Sequence, residues 1–326
     1  MILVTTESVN PAFNLAMEEY LLKQKKEEIF FLWRNSPSII IGKNQNAYSE
    51  IDVDYVKEKN ITVIRRLTGG GAVFHDLGNI NFTFIANVTD TDDISFQRFT
   101  APIINYLNTL GAPAQFSGRN DIAIDGQKIS GNAQTKYKNR FMHHGTLLFG
   151  TDMTDLSKAL TVNPLKIASK GIKSVRARVT NIQSHISGDM DVTGFMEGLY
   201  DYMEREYPEA TPYVFTEDDI DAIEKLYKEK YSTWGWNFGE NPDYTFKKCA
   251  KFDGGLIEIT MTVKDEVIKS IAIYGDFFAY GEMDELNSQL TGVTHNEDAI
   301  RQRLENIDLK KYIGKITEDE LISTMF

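Results

Sequence analysis

Three consecutive glycines, Gly69, Gly70 and Gly71, sit between two stretches of alternating apolar residues. Ile61 and Val63 flank polar Thr62 on one side, and Ile80, Phe82 and Phe84 alternate with Asn81 and Thr83 on the other, so both flanks read as half-buried strands of an antiparallel sheet. Without any Cβ the loop can take positive φ and let a ligand lie against main-chain N–H groups. Arg65 and Arg66 stand at its mouth, and converging amides and guanidinium groups suit an anion. The alternative is a glycine-rich turn with surface arginines. A Walker loop would close with Gly-Lys-Ser/Thr onto a helix, and a dinucleotide fingerprint would also open a helix. A strand follows here instead, which excludes both.

A second local code is the Asp125-Gly126 pair between two alternating stretches, a strong two-residue hairpin signal. An unbroken register would oppose Ile124 to Gln127, Ala123 to Lys128, Ile122 to Ile129 and Asp121 to Ser130. Asp121, Ala123, Lys128 and Ser130 would then share one face, with Ile122, Ile124 and Ile129 on the core face. A lysine and an acid are thereby placed together, although a lone hairpin could carry Lys128 simply as a solvated side chain. His143 and His144 fall in a further expected strand, where neighbours point to opposite faces and cannot chelate one metal.

The remaining chain reads as α+β. Asn10 and Pro11 open a helix with Phe13, Met17 and Leu21 inward and Glu18, Glu19 and Lys23 outward. Strands are expected at Phe30–Trp33 and Ser38–Ile41, a loop at Gly42–Tyr48, and helices over Asp54–Lys59, Ser95–Leu110, Val192–Glu206 and Glu217–Tyr231. Val175, Ala177 and Val179 alternate with Arg176 and Arg178, so part of the basic segment Asn163–Asn181 can be a strand. An aromatic-glycine turn from Trp234 to Gly239 ends the first domain, 1–241. The second, 242–326, is a strand meander with Ile257, Ile259, Met261 and Val263 on one face, followed by helices near Met283–Leu290, Glu297–Leu304 and Glu318–Met325.

With 326 residues and 42% hydrophobic content the chain can build such cores. The net charge of −12 argues against general nucleic-acid binding, although the basic residues gather in and near the motif blocks. Met1–Val9 lacks a basic and apolar leader and no apolar run is long enough to span a bilayer, so a cytoplasmic, non-membrane protein is expected. A single cysteine, Cys249, excludes an internal disulfide and any multi-cysteine metal site.

The blocks RRLTGGGAVFHDLGNINFTF, SGRNDIAIDGQKISGNAQ and HHGTLLF, in that order, resemble the lipoate–protein ligase family, related in fold to biotin ligases. The resemblance covers nearly the whole chain. It implies a large mixed or antiparallel sheet domain flanked by helices, with a small accessory domain, and ATP-dependent joining of lipoate to an acceptor lysine through lipoyl-AMP. It implies that Lys128 contacts the carboxylate and phosphate being joined. Arg66, Thr68, Gly69, Gly70, Gly71, Val73, His75, Asn79, Asn120, Gly131, His144 and Gly145 are implied as the lipoate and adenylate site, and the GKNQNA segment after Ile41 as a neighbour of it. The run KGIKSVRARVTNI resembles an adenylate-covering loop, bringing in Lys166, Lys170 and Arg176. ATP and Mg2+ are the implied cofactors, with Asp121 as metal ligand or neighbour. The implied partner is the lipoyl domain of a 2-oxoacid dehydrogenase E2 subunit or the glycine-cleavage H protein, and a monomer is expected. The rival reading is an octanoyl or lipoyl transferase working without ATP through a cysteine thioester. Cys249 lies outside every motif block, which speaks against it. Biotin ligation is set aside because its glycine-arginine signature is absent.

Overall fold

A computed structural model describes residues 1–45, 47–51, 53–89, 94–160, 179–238, 246–264 and 267–326. Its strands are β1 (Ile2–Thr5), β2 (Ile29–Arg34), β3 (Ser38–Ile41), β4 (Thr62–Arg65), β5 (Val73–His75), β6 (Asn79–Asn87), β7 (Ala114–Ser117), β8 (Asp121–Ile124), β9 (Gln127–Tyr137), β10 (Arg140–Leu148), β11 (Thr211–Tyr213), β12 (Phe246–Phe252), β13 (Gly255–Lys264) and β14 (Val267–Gly275). The large sheet has eight strands in the order β11-β1-β2-β6-β10-β9-β8-β7. β1 runs parallel to β2 and β11, and the remaining neighbours are antiparallel, so the sheet is mixed.

Helices cover both faces. On one, Phe82, Phe84 and Leu32 pack with Phe99 and Ile103 of the helix Phe96–Thr109 and Leu199 of Val192–Glu206. On the other, Phe31, Trp33 and Met142 meet Leu15 and Leu21 of the first helix, α1 (Pro11–Gln24). Burying each such side chain contributes about 1.5–3 kcal/mol before chain entropy is set against it. Asn10 caps α1 through the amides of Ala12 and Phe13.

The outward position expected for Glu18 and Glu19 is wrong: both are buried. Partners from the next turn of the helix and from distant strands and helices take up their charge. Glu18 accepts from Thr83 at 2.7 Å, and Glu19 meets Lys23, Lys230 and Tyr231. The two flanks of the glycine loop also belong to different sheets. β4 pairs in parallel with β3, and β5 pairs antiparallel with β3, in a separate three-stranded sheet. β6 lies inside the large sheet, with Asn81 and Thr83 buried as fully as Phe82. A half-buried alternation became a two-sided burial because the small sheet and α1 cover the polar face.

The Asp-Gly hairpin forms with Asp125 and Gly126 at φ 50° and 76°, the positive pair a type I′ turn requires. Its register then departs from the unbroken one. Ala123 still opposes Lys128, but Ile122 opposes Ser130 and Asp121 opposes Gly131. A bulge absorbs Ile129. Ile122, Ile124 and Ile129 remain in the core, while Ser130 turns inward and Gly131 takes the place beside Lys128.

β12–β14 form the second domain's sheet, covered by helices Met283–Leu290, Glu297–Leu304 and Glu318–Met325 around a separate core. A short helix at Leu309–Ile313 was not expected. The boundary placed at 241 falls within 239–245, outside the described residues. The two units meet beside the glycine loop. Lys43 pairs with Glu282 at 2.8 Å, the Gly275 amide donates to the Asn44 carbonyl, and a Cβ on Gly69 would collide with the Phe277 carbonyl.

Candidate active site

The small sheet and glycine loop lean over the α1 face of the large sheet, and a cavity opens between them. Arg66, Gly70, Gly71, Val73 and His75 line it from above. Asn120, Lys128, Gly131, His144 and Gly145 line it from the large sheet. Thr68, Gly69 and Asn79 stand just behind that wall, Thr68 and Asn79 being bonded to lining residues His144 and Asn81. Lys166, Lys170 and Arg176 lie outside the described residues, although the chain re-enters beside the site, where Val179 bridges Lys128 and the Thr180 amide donates to the Lys128 carbonyl at 3.0 Å.

Arg66 does not present a fork to solvent, as a loop-mouth arginine would. It is buried, and its donors are turned onto the loop itself: Nε to Thr68 Oγ1 at 2.8 Å, and the terminal nitrogens to the carbonyls of Ile40, Gly69 and Gly71 at 2.9, 2.7 and 2.9 Å. With those carbonyls drawn inward, the amides of Gly69, Gly70 and Gly71 have no acceptor among the described residues. Those of Gly70 and Gly71, which line the cavity, are thereby open to an anion. Burial pulls the Arg66 guanidinium down to about 10, opposed by the nearby charge of Glu18. Arg65 is likewise structural: it donates to the carbonyls of Gly42, Lys43, Gln45, Trp236 and Asn237, tying the loop after β3 to the end of the first domain.

The charge of Arg66 is answered through a chain of side chains. Thr68 Oγ1 lies 2.7 Å from His144 Nε2, and His144 Nδ1 lies 2.7 Å from Glu18 Oε1. An ionised carboxylate only accepts, so His144 carries its proton on Nδ1, and Thr68 donates to Nε2 while accepting from Arg66. His143, on the opposite face, stacks with Phe82 and Phe99 and bonds Asn132 and Gln134. The strand alternation separates the two histidines as expected.

Lys128 differs from the arginines. Its side chain is 37% exposed and its Nζ lies 2.8 Å from Asp121 Oδ1, at the mouth of the cavity and near enough that a Cβ on Gly131 would sit 2.7 Å away. A part-exposed ammonium, the amides of Gly70 and Gly71 and a cavity that also takes in Leu15, Trp33 and Ile40 can together hold an apolar chain ending in an anionic head. Phe278 of the second domain closes one side of the mouth, with the Arg119 guanidinium 4.5 Å over its ring. Glu18, Trp33, Asn81, Thr146 and Phe278 escaped the sequence reading. Asn81 and Thr146 carried a signal as polar residues inside the motif blocks, and Trp33 as a bulky residue in an expected strand.

Residues 10–204 match the family model for the lipoyl protein ligase A/B catalytic domain, and residues 241–325 match that for the bacterial lipoate protein ligase C-terminus. The chain belongs to the lipoate–protein ligase family. Lipoate–protein ligase 1 of Staphylococcus aureus is 44% identical over 318 residues, covering 97% of each chain. Among solved structures, P. falciparum LipL1 in complex with lipoate superposes with a TM-score of 0.83 at 30% identity, covering 99% of this chain and 98% of that one. Lipoate-protein ligase A bound with ATP gives 0.64 at 30% identity, over 73% of this chain and 98% of its own. As a member of a ligase family the protein is an enzyme. No described helix is long and apolar enough to cross a membrane.

Proposed function

We propose that the protein activates lipoate with ATP and transfers it to a lysine of an acceptor protein. A lipoate carboxylate oxygen attacks the α-phosphorus of ATP, forming the mixed anhydride lipoyl-AMP and breaking the bond to pyrophosphate. The acceptor ε-amine then attacks the lipoyl carbonyl, an amide forms, AMP leaves, and the amine loses its proton. Both steps place negative charge on oxygen, and positioned donors that neutralise it lower the barrier.

The observation that carries this reading is that Lys128 and the open amides of Gly70 and Gly71 line one apolar-backed cavity. Lys128 bridges carboxylate and phosphate, exchanging its contact with Asp121 for the substrate. Arg66 acts through the loop it folds. Lys166, Lys170 and Arg176 are assigned to covering the nucleotide, and the division into 1–241 and 242–326 is assigned to catalysis and assistance. Among the described residues no group of three His, Cys, Asp or Glu side chains is placed to hold a metal ion. Magnesium therefore fits here as the partner of the triphosphate, with Asp121 the carboxylate beside Lys128 that can approach it. The acceptors that suit the reading are an E2 lipoyl domain and a glycine-cleavage H protein.

Incubating the protein with ATP, lipoate and each acceptor domain, then weighing the acceptors by mass spectrometry, tests it. One lipoyl group should be added, only when ATP is present. Cys249 lies on β12 of the second domain and does not line the cavity. Cys249→Ser should therefore leave the modification intact. ATP-independent modification that disappears in this variant would establish the transferase instead.

A further inference from the structure

The cavity floor contains a row of side chains that crosses the large sheet. Trp33 on β2 opposes Asn81 on β6, Asn81 opposes Thr146 on β10, and Thr146 Oγ1 accepts from the Gly131 amide on β9, next to Lys128. All five residues line the cavity. Adjacent strands are about 4.8 Å apart, so Asn81 lies roughly 10 Å from the Lys128 end and Trp33 one strand further. An extended eight-carbon acid held by its carboxylate at Lys128 places its far end at Asn81 and Trp33.

That end is not purely apolar. His75, whose ring meets Trp33 edge-on at 6.3 Å, is buried and lines the cavity. Its tautomer is set from behind. Asn14 Nδ2, held by the carbonyls of Ser8 and Arg34 at 2.9 and 2.8 Å, cannot accept, so Asn35 Oδ1 at 3.0 Å shares one of its two hydrogens. Asn35 then turns its own Nδ2 towards His75 Nδ1, at 3.0 Å. Nδ1 is the acceptor, and in the neutral ring Nε2 carries the hydrogen. Burial, with the charge of nearby Arg66, pushes His75 down to about 3, which keeps the ring neutral. Among the described residues His75 Nε2 has no hydrogen-bond partner, and neither has Asn81 Nδ2. Buried polar groups are seldom left so unless a ligand or water completes them. Trp33 offers nothing more, its indole N–H being used by Thr83.

We propose that His75 Nε2–H, aided by Asn81, reads the sulfur atoms of a 1,2-dithiolane ring at the blind end of the cavity, making the site prefer lipoate over a straight-chain acid of the same length. Thioether-like sulfur is a weak acceptor, enough to complete a stranded donor. The terminal methyl of octanoate leaves that donor unsatisfied. The proposal rests on the reading of the cavity as the acyl site, and names what selects the acid.

The test compares kcat/KM for pyrophosphate exchange supported by lipoate and by octanoate, using the full chain and its His75→Leu variant. Wild type should favour lipoate, and the variant should lose roughly fivefold more with lipoate than with octanoate, about the worth of one hydrogen bond. Equal losses with the two acids would overturn the proposal. Should the variant fail to fold, the wild-type protein decides: the His75 Nε2 15N resonance should shift on adding lipoate without ATP, and much less with octanoate. The same shift with both acids contradicts the assignment. If neither acid supports exchange, the proposed activity fails, while the resonance still reports whether His75 meets the dithiolane.

Discussion

Arg66 and Lys128 are two cations lining one cavity, and they are held in opposite ways. Arg66 is buried, bonded to three backbone carbonyls and to Thr68, with its charge answered by Glu18 through His144. Lys128 is part-exposed with one carboxylate partner. A guanidinium fork suits the first task because it satisfies several carbonyls at fixed angles, and a flexible ammonium suits the second because it can change partners. The positive charge that builds the site is thus separate from the one proposed to meet substrate.

The largest effect that could break this contrast is on folding. Arg66→Leu leaves three buried carbonyls without their donor and removes the cation that offsets Glu18, and should cost about 3 kcal/mol or more of stability, measured by denaturant unfolding. Lys128→Ala should leave unfolding unchanged and reduce lipoate-dependent pyrophosphate exchange by ~10²-fold. If the two outcomes were exchanged, the assignment of roles would be inverted. A finer cut lies within the loop. Gly69→Ala drives a Cβ against the Phe277 carbonyl, whereas a Cβ on Gly71 meets nothing within 4 Å. The first should lower stability by ~1–3 kcal/mol, and the second should be tolerated. Equal melting temperatures for the two would mean that the second domain does not press on the loop.

The smallest effect concerns pH. Burial lowers His75 to about 3 and also lowers His143, against an ordinary value of 6.5. Below 6.5 the unfolded chain takes up protons that the folded one refuses, so stability is intact above that pH and falls as pH drops towards the folded values. Urea unfolding at pH 7, 6 and 5 should show a decline of at most about 1.4 kcal/mol per pH unit for each histidine. A flat profile would mean that these rings are charged or solvated in the folded protein.

How much of this was legible follows from how local each cause is. Asp125-Gly126 declares its turn within two residues, so the hairpin and the Asp121–Lys128 pairing could be read directly. The bulge at Ile129 could not, because an unbroken alternation buries nearly the same isoleucines. α1 was placed correctly along the chain, capped at Asn10, but Glu18 looked solvent-facing because Thr83 and His144, which satisfy it, come from distant strands. The same distance hid Phe278, which reaches the site only because the second domain docks there. Arg66 is bonded into the glycine loop and Arg65 into the loop after β3, and the burial of both was invisible without the carbonyls that receive them.

The central claim is that the acid is activated by ATP before any acceptor is present. Labelled pyrophosphate, unlabelled ATP and the protein, with and without lipoate and with no acceptor domain, test this most directly. Label should enter ATP only when lipoate is added, and Lys128→Ala should nearly abolish it. Efficient lipoylation of an acceptor by a preparation that shows no such exchange would contradict the account.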